Sequence, residues 1–158
     1  MATTVNNTTA NSRITIIFDA NGPMNGDGPR SGTGNTESDV IIDSLSYFNI
    51  RSHTEIDANI HALQWDATTN TGEIEYVDNR DNESISSFPQ WATNVVIRCE
   101  AYDVYENARA DNYDSQFSTW RSNNPDADKS EYTANDSTAT SHAETQRNNY
   151  LSAHNITY

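Results

Sequence analysis

The sequence predicts an α+β protein that is mainly β: an antiparallel β-sandwich or barrel-like body with a long Gly-rich loop and a C-terminal helical, polar extension. Three observations lead there. Several segments alternate apolar and polar residues with the period of two that a half-buried strand requires. Five of the six glycines fall between Asn21 and Asn35. After Tyr105, Leu151 and Ile156 are the only aliphatic residues larger than Ala. Strands first and helices later favours α+β architecture or a decorated sandwich over a doubly wound sheet. The expected organisation is an extended arm over 1–11, a β-rich domain over 12–105 and the extension over 106–158.

The elements follow in order. Arg13 to Asp19 places Ile14, Ile16 and Phe18 on one face of a strand. Asn21 to Asn35, with Pro23 and Pro29 among its glycines, is a long loop. Val40 to Arg51 is β-rich, and its apolar face switches near Leu45, as a bulged strand would. Ile56, Ala58, Ile60 and Ala62 share one parity, after which Leu63 and Trp65 take the other. Such a switch within a strand signals a bulge or a strand end buried on both faces. Asp66 to Gly72 is a turn and 73–77 a short strand, so 56–65 and 73–77 form a hairpin. Asp78 to Ser84 is a polar loop. Val95, Ile97, Cys99 and Ala101 alternate with Val96, Arg98, Glu100 and Tyr102, which predicts a strand over 95–104. Beyond it, Ala110, Tyr113, Phe117 and Trp120 follow spacings of three, four and three, a helical stripe over 107–122 stopped by Asn123-Asn124-Pro125. A weaker stripe of Ala139, Ala143, Tyr150 and Ala153 marks a second helix, with 126–137 as loop between them.

Charge constrains the setting more than the chemistry. Lys129 is the sole lysine, Asp and Glu number 23, and the net charge is -14, although charged residues are only 20% of the chain. Basic side chains are scarce and Asn, Thr and Ser take their place. Such a surface repels itself unless salt screens it, and the screening length falls to about 3 Å near molar salt. A high-salt cytoplasm, as in halophilic archaea, is the best account of this composition. The acid excess argues against nucleic-acid or anionic-membrane binding, both of which use basic patches. No apolar stretch reaches the ~18 residues of a membrane span. The residues at 1–11 do not read as a signal peptide. Cys99 is alone, so no internal disulfide forms. Five Asn-x-Ser/Thr sequons, at Asn6, Asn7, Asn82, Asn135 and Asn155, are expected by chance in a chain this rich in Asn, Ser and Thr.

Candidate chemistry is sparse. The Gly-rich loop lacks both the Gly-Lys-Ser/Thr ending and the GxGxxG spacing of phosphate loops. His53, His61, His142 and His154 show no zinc-site spacing, even with Glu55 and Asp57 beside the first pair. The oxygen-rich runs 124–131 and 78–83 superficially resemble calcium loops. The first lacks the sharp-turn Gly and a properly placed terminal Glu, and it carries Lys129. Cys99, on the apolar face of its expected strand, reads as a small hydrophobe. No Gly-x-Ser-x-Gly elbow occurs. No catalytic, cofactor-binding or metal-binding residue is therefore assigned.

These readings converge on a non-enzymatic, self-assembling structural protein. The setting that fits best is a virion component (a tail-tube, neck or capsid-decorating subunit) of a virus infecting a halophilic archaeon, assembled in the host cytoplasm. Its partners would be identical subunits and other structural proteins of the particle, with neither sequence-specific nucleic acid nor membrane. The Gly-rich loop 21–35 and the arm 1–11 are expected at subunit contacts. The alternative is a small cytoplasmic β-sandwich module that binds a carbohydrate or a divalent metal, with Trp65 or Trp91 as a stacking platform.

Overall fold

A computed structural model describes residues 13–18, 40–43, 45–47, 50, 53 and 56–158. The expected arm, the Gly-rich loop and Glu55 lie outside these residues. The described chain forms six strands and two α-helices: β1 (Arg13–Phe18), β2 (Val40–Ile42), β3 (Leu45–Tyr47), β4 (Ile60–Asp66), β5 (Thr71–Tyr76), β6 (Glu83–Ile85), α1 (Gln90–Asn123) and α2 (Asp136–Ala153), with a 3-10 turn at Lys129–Glu131. It divides into two compact units, Met1–Glu100 and Ala101–Tyr158.

The strands make one antiparallel sheet of order β3-β2-β1-β4-β5-β6. Its register aligns the apolar positions. Ile16 faces Ile42 on one side and Leu63 on the other, Ile14 faces Trp65, and Leu63 faces Ile74. These residues are all buried, together with Phe18, Val40 and Tyr47. The parity switch at Ala62–Leu63 is a real bulge: the β4–β5 register shifts between Ile60 and Ala62. That extra residue returns Ile60 to the apolar side beside Leu63 and Trp65.

The expected hairpin over 56–65 and 73–77 corresponds to β4 and β5. Asp66 accepts from the Thr68 N–H at its turn, and Asn70 takes φ 51°, a left-handed conformation that Asn tolerates. Gly72 is required for a different reason. A Cβ there would lie 2.5 Å from the Gln64 carbonyl oxygen and 2.8 Å from the Trp65 ring. Its absence lets the indole lie across β5.

Three expectations fail here. The polar loop expected over 78–84 ends in strand, because β6 takes in Glu83 and Ser84 and pairs them with Ile74 and Glu73. The long bulged strand over 40–51 is instead two short paired strands, β2 and β3, with Asp43 at φ 47° between them. More consequentially, the strand over 95–104 is helix, and the β-sandwich or barrel-like body is overturned with it. The sheet is single and open, and the two α-helices, of 34 and 18 residues, outweigh the strands. In the first unit the buried residues of α1 are Ala92, Val95, Val96 and Cys99, spaced i, i+3, i+4, i+7. Phe18 meets Trp91 at 5.6 Å and Trp65 meets Phe88 at 5.7 Å between ring centroids. The layer covering the sheet is thus a helix where a second sheet was expected. Short apolar runs satisfy both periods, and length decides between them. From Gln90 to Asn123 no Gly or Pro interrupts the chain, so the helix continues for about 50 Å at 1.5 Å per residue. Pro89 opens it, its carbonyl accepting from the Ala92 and Thr93 N–H groups.

In the second unit the remainder of α1 lies antiparallel to α2, as three contacts show. The Asn135 N–H donates to Gln116 Oε1 and Gln116 Nε2 donates back to the Asn135 carbonyl; Arg109 bonds Asp136 at 2.8 Å; and Arg147 lies over the Tyr105 ring. Asn135 caps α2 by accepting from the Thr138 N–H, which supports about 1 kcal/mol of helix stability.

Candidate functional site

Two oxygen-rich loops were the nearest approach to a ligand site in the sequence, and each is organised by the chain's own cations. In the run 124–131, Arg121 projects back from the last turn of α1. Its Nη1 donates to the carbonyls of Ala127 at 2.7 Å and of Asn124 and Pro125 at 3.4 Å. Backbone carbonyls of this kind would ligate a calcium ion, but here the guanidinium takes them. Asp128 is also engaged: its carboxylate accepts from the Ser130 hydroxyl and N–H, bonds that lower its pKa. Glu131 completes a capping box by accepting from the Asp128 N–H.

The second loop repeats the arrangement. Arg80 pairs with Asp78 at 2.7 Å and with Asp57 at 2.9 Å while lying 4.3 Å from the Tyr76 ring centroid. The Asn59 N–H first, and Arg80 second, lower the pKa of Asp57; Arg80 does the same for Asp78. Tyr76 donates its hydroxyl to Glu83 at 2.6 Å, and that bond raises the phenol's pKa.

The aromatic stripe has the same character. Phe117, Trp120 and Tyr132 form a three-ring cluster with centroids 5.1 to 5.9 Å apart. Arg121 covers Trp120 at 4.9 Å and Lys129 covers Phe117 at 5.4 Å. Tyr113 donates to Asp136, beside Arg109, a bond that lowers the carboxyl's pKa and raises the phenol's. All three expected stripe residues are half-buried, whereas Ala110 is exposed. On α2, Ala139, Ala143 and Leu151 are buried; Tyr150 is half-buried and Ala153 exposed.

The other candidates disperse. His53 is exposed, His61 is half-buried on β4, and His142 is exposed on α2. His154 caps α2, its ring against Tyr150 at 4.6 Å. Among the described residues no group of three or more His, Cys, Asp or Glu side chains could hold a metal ion. Cys99 is fully buried as expected, though on a helix beside Val95 and Val96. Trp65 is buried against Phe88, and the half-buried Trp91 packs on Phe18, so each ring is engaged in packing.

The polar face of the sheet carries a shallow depression of about 350 Å³ around Arg13, Thr15, Gln64, Asp66, Thr71 and Glu73. Arg13 pairs with Asp66 at 3.1 Å, and Gln64 donates to Glu75 at 2.6 Å. Trp65 also borders the depression. No described helix is long and apolar enough to cross a membrane. Comparison with family models, curated proteins and solved structures finds no match to the chain.

What the sequence missed is the inward use of its cations. Part of the signal was present: Arg109 lies four residues before Tyr113 and Arg121 four after Phe117, the spacing that brings side chains together on a helix, whereas Arg147 turns onto Tyr105 and Tyr158, both distant in sequence.

Proposed function

We propose that this chain is a non-enzymatic structural subunit that works at high salt by associating with copies of itself. The setting we favour is the particle of a virus infecting a halophilic archaeon, as a tail, neck or capsid-decorating component. The observation that carries the reading is the distribution of charge. Arg80, Arg109, Arg121, Arg147 and Lys129 all lie on rings or carboxylates of their own unit. The acids that remain give the surface a strong negative field, which salt must screen before two copies can approach. An open sheet supports association because an edge strand can offer its backbone groups to a second chain.

The test is molar mass by light scattering across a NaCl series, with thermal unfolding in parallel. The expected outcome is a larger species in molar salt and a lower melting temperature in dilute buffer. A chain that stays monomeric at high concentration in molar salt overturns self-assembly. Unchanged thermal stability between the two conditions overturns the high-salt setting.

A further inference from the structure

We infer that residues 154–158 act as a strap over the end of α2, with Arg147 as its catch, and that this strap governs whether the last turns of α2 stay closed on α1. The inference stands whether or not the chain self-assembles. The strap begins where α2 stops. The His154 and Asn155 N–H groups donate to the carbonyls of Leu151 and Ser152, and the Ile156 N–H reaches back to the Leu151 carbonyl. Asn155 takes φ 59°. A left-handed residue with this bond pattern is the reversal that commonly ends a helix, and an apolar contact across it usually follows. Here the two apolar positions are Ile156, which is half-buried, and Leu151, which is 1% exposed. Among the described residues of the second unit, Leu151 is the sole buried aliphatic side chain larger than Ala.

The reversal carries the chain back to Arg147, and there the strap closes. The Arg147 guanidinium carbon lies 3.5 Å from the Tyr158 ring centroid and 5.5 Å from that of Tyr105. Arg147 belongs to α2 and Tyr105 to α1, so one guanidinium engages the strap and both helices. Tyr158 remains 52% exposed, and its ring can leave the stack without displacing a buried side chain. A cation over a ring at an exposed site shifts an equilibrium by about two- to fivefold. A contact of that strength biases opening without forbidding it, which is what a two-state element requires. Opening uncovers Arg147 and loosens the turn that withdraws Leu151 from water. The catch is a guanidinium against rings, so it loses little to the screening that weakens pairs of exposed charges in molar salt.

Amide exchange of the full chain in molar NaCl tests the strap, with 144–153 as the reporting segment and 92–99 of α1 as the internal control. Tyr158→Ala and Arg147→Ala should each speed exchange over 144–153 by about two- to fivefold and leave 92–99 unchanged. The double variant should exchange no faster than Arg147→Ala alone, because the ring acts through the guanidinium. Tyr158→Phe keeps the ring and should match the parent chain. The acceleration caused by Tyr158→Ala should be the same in dilute buffer as in molar salt. Parental exchange in Tyr158→Ala, equal acceleration by Tyr158→Phe, or a double variant whose acceleration is the product of the two single ones overturns the strap. Equal acceleration over 92–99 overturns it too, since the loss is then general. An effect of Tyr158→Ala that vanishes in molar salt overturns the stacked catch.

Discussion

The two units reach order by different chemistry. In Met1–Glu100 the residues withdrawn from water include Ile14, Ile16, Phe18, Val40, Ile42, Leu63, Ile74 and Val95. In Ala101–Tyr158 they are Ala101, Ala139, Ala143 and Leu151. The first unit is held by apolar burial, which molar salt strengthens or leaves intact. The second has little aliphatic area to bury. It substitutes small residues that let helices approach, cations over rings, and caps at helix ends. Each such contact contributes about 0.5–1 kcal/mol when exposed, so the antiparallel pair of helices in the second unit depends on many weak interactions acting together. A chain with 34% hydrophobic residues can still fold because its apolar residues are concentrated in one unit.

That contrast can be broken most directly in the sheet. Leu63→Ala empties a fully buried position in the central strand β4 and should cost about 2–5 kcal/mol. Urea unfolding in molar salt measures the loss. Amide exchange in α2 should stay nearly unchanged; if α2 opens to the same extent, the two units are one cooperative body and the contrast fails.

Gly72→Ala should cost about 1–3 kcal/mol, because the added methyl must displace a backbone carbonyl and the Trp65 ring. The Trp65 emission should shift as the indole is pushed from Phe88. A neutral effect would mean that β5 moves freely away from β4.

Arg121→Ala should cost about 0.5–2 kcal/mol, by loss of its contacts with Trp120 and Phe117 and of its bonds to three carbonyls. Arg121→Lys should recover only part of this, since an ammonium cannot present the planar fork. Full recovery by Lys would reduce the interaction to charge alone. Protection of 124–135 against amide exchange is the measurement.

The smallest expected effect is with acid, and its sign depends on salt. Asp57, Asp66, Asp78, Asp128 and Asp136 all have lowered pKa values. Groups of this kind contribute stability above their unfolded pKa of about 3.9, and it is lost as pH falls through the lower folded values. In molar salt the melting temperature should therefore be flat from pH 7 to about 5 and decline below about 4. In dilute buffer it should first rise as pH approaches the isoelectric point near 4.3, because self-repulsion diminishes. A steady fall from pH 7 downward in dilute buffer would show that pairing outweighs net charge.

Much of the sheet was legible. Alternation placed β1 and the β4–β5 hairpin, and the parity change at Ala62–Leu63 located the bulge, because side-chain direction in a strand is fixed by position. The end of α1 was equally local, set by Asn123-Asn124-Pro125, where Asn124 returns two hydrogen bonds to the Trp120 carbonyl. The β-sandwich was misread from Val95 to Ala101. There β-branched residues at alternating positions hid a helical spacing that continues from Trp91. Nothing between Trp91 and Cys99 separates the two periods by itself; what separates them is the uninterrupted run from Gln90 to Asn123, far longer than a strand. The loops were misjudged for a related reason. Alternating oxygen ligands in 124–131 resemble a cation site in sequence, but only the folded chain shows that Arg121 reaches their carbonyls first.

The sequence by itself determined the charge, the scarcity of cations and the strands with clear alternation, because these depend on composition or on neighbours in the chain. Tertiary structure alone decided that a helix and not a second sheet covers the strands, that Gly72 must lack a side chain, and which distant carboxylates the basic residues reach. Those outcomes rest on contacts between residues distant in sequence, such as Arg80 with Asp57 and Arg109 with Asp136, and no local pattern encodes which partner will be within reach.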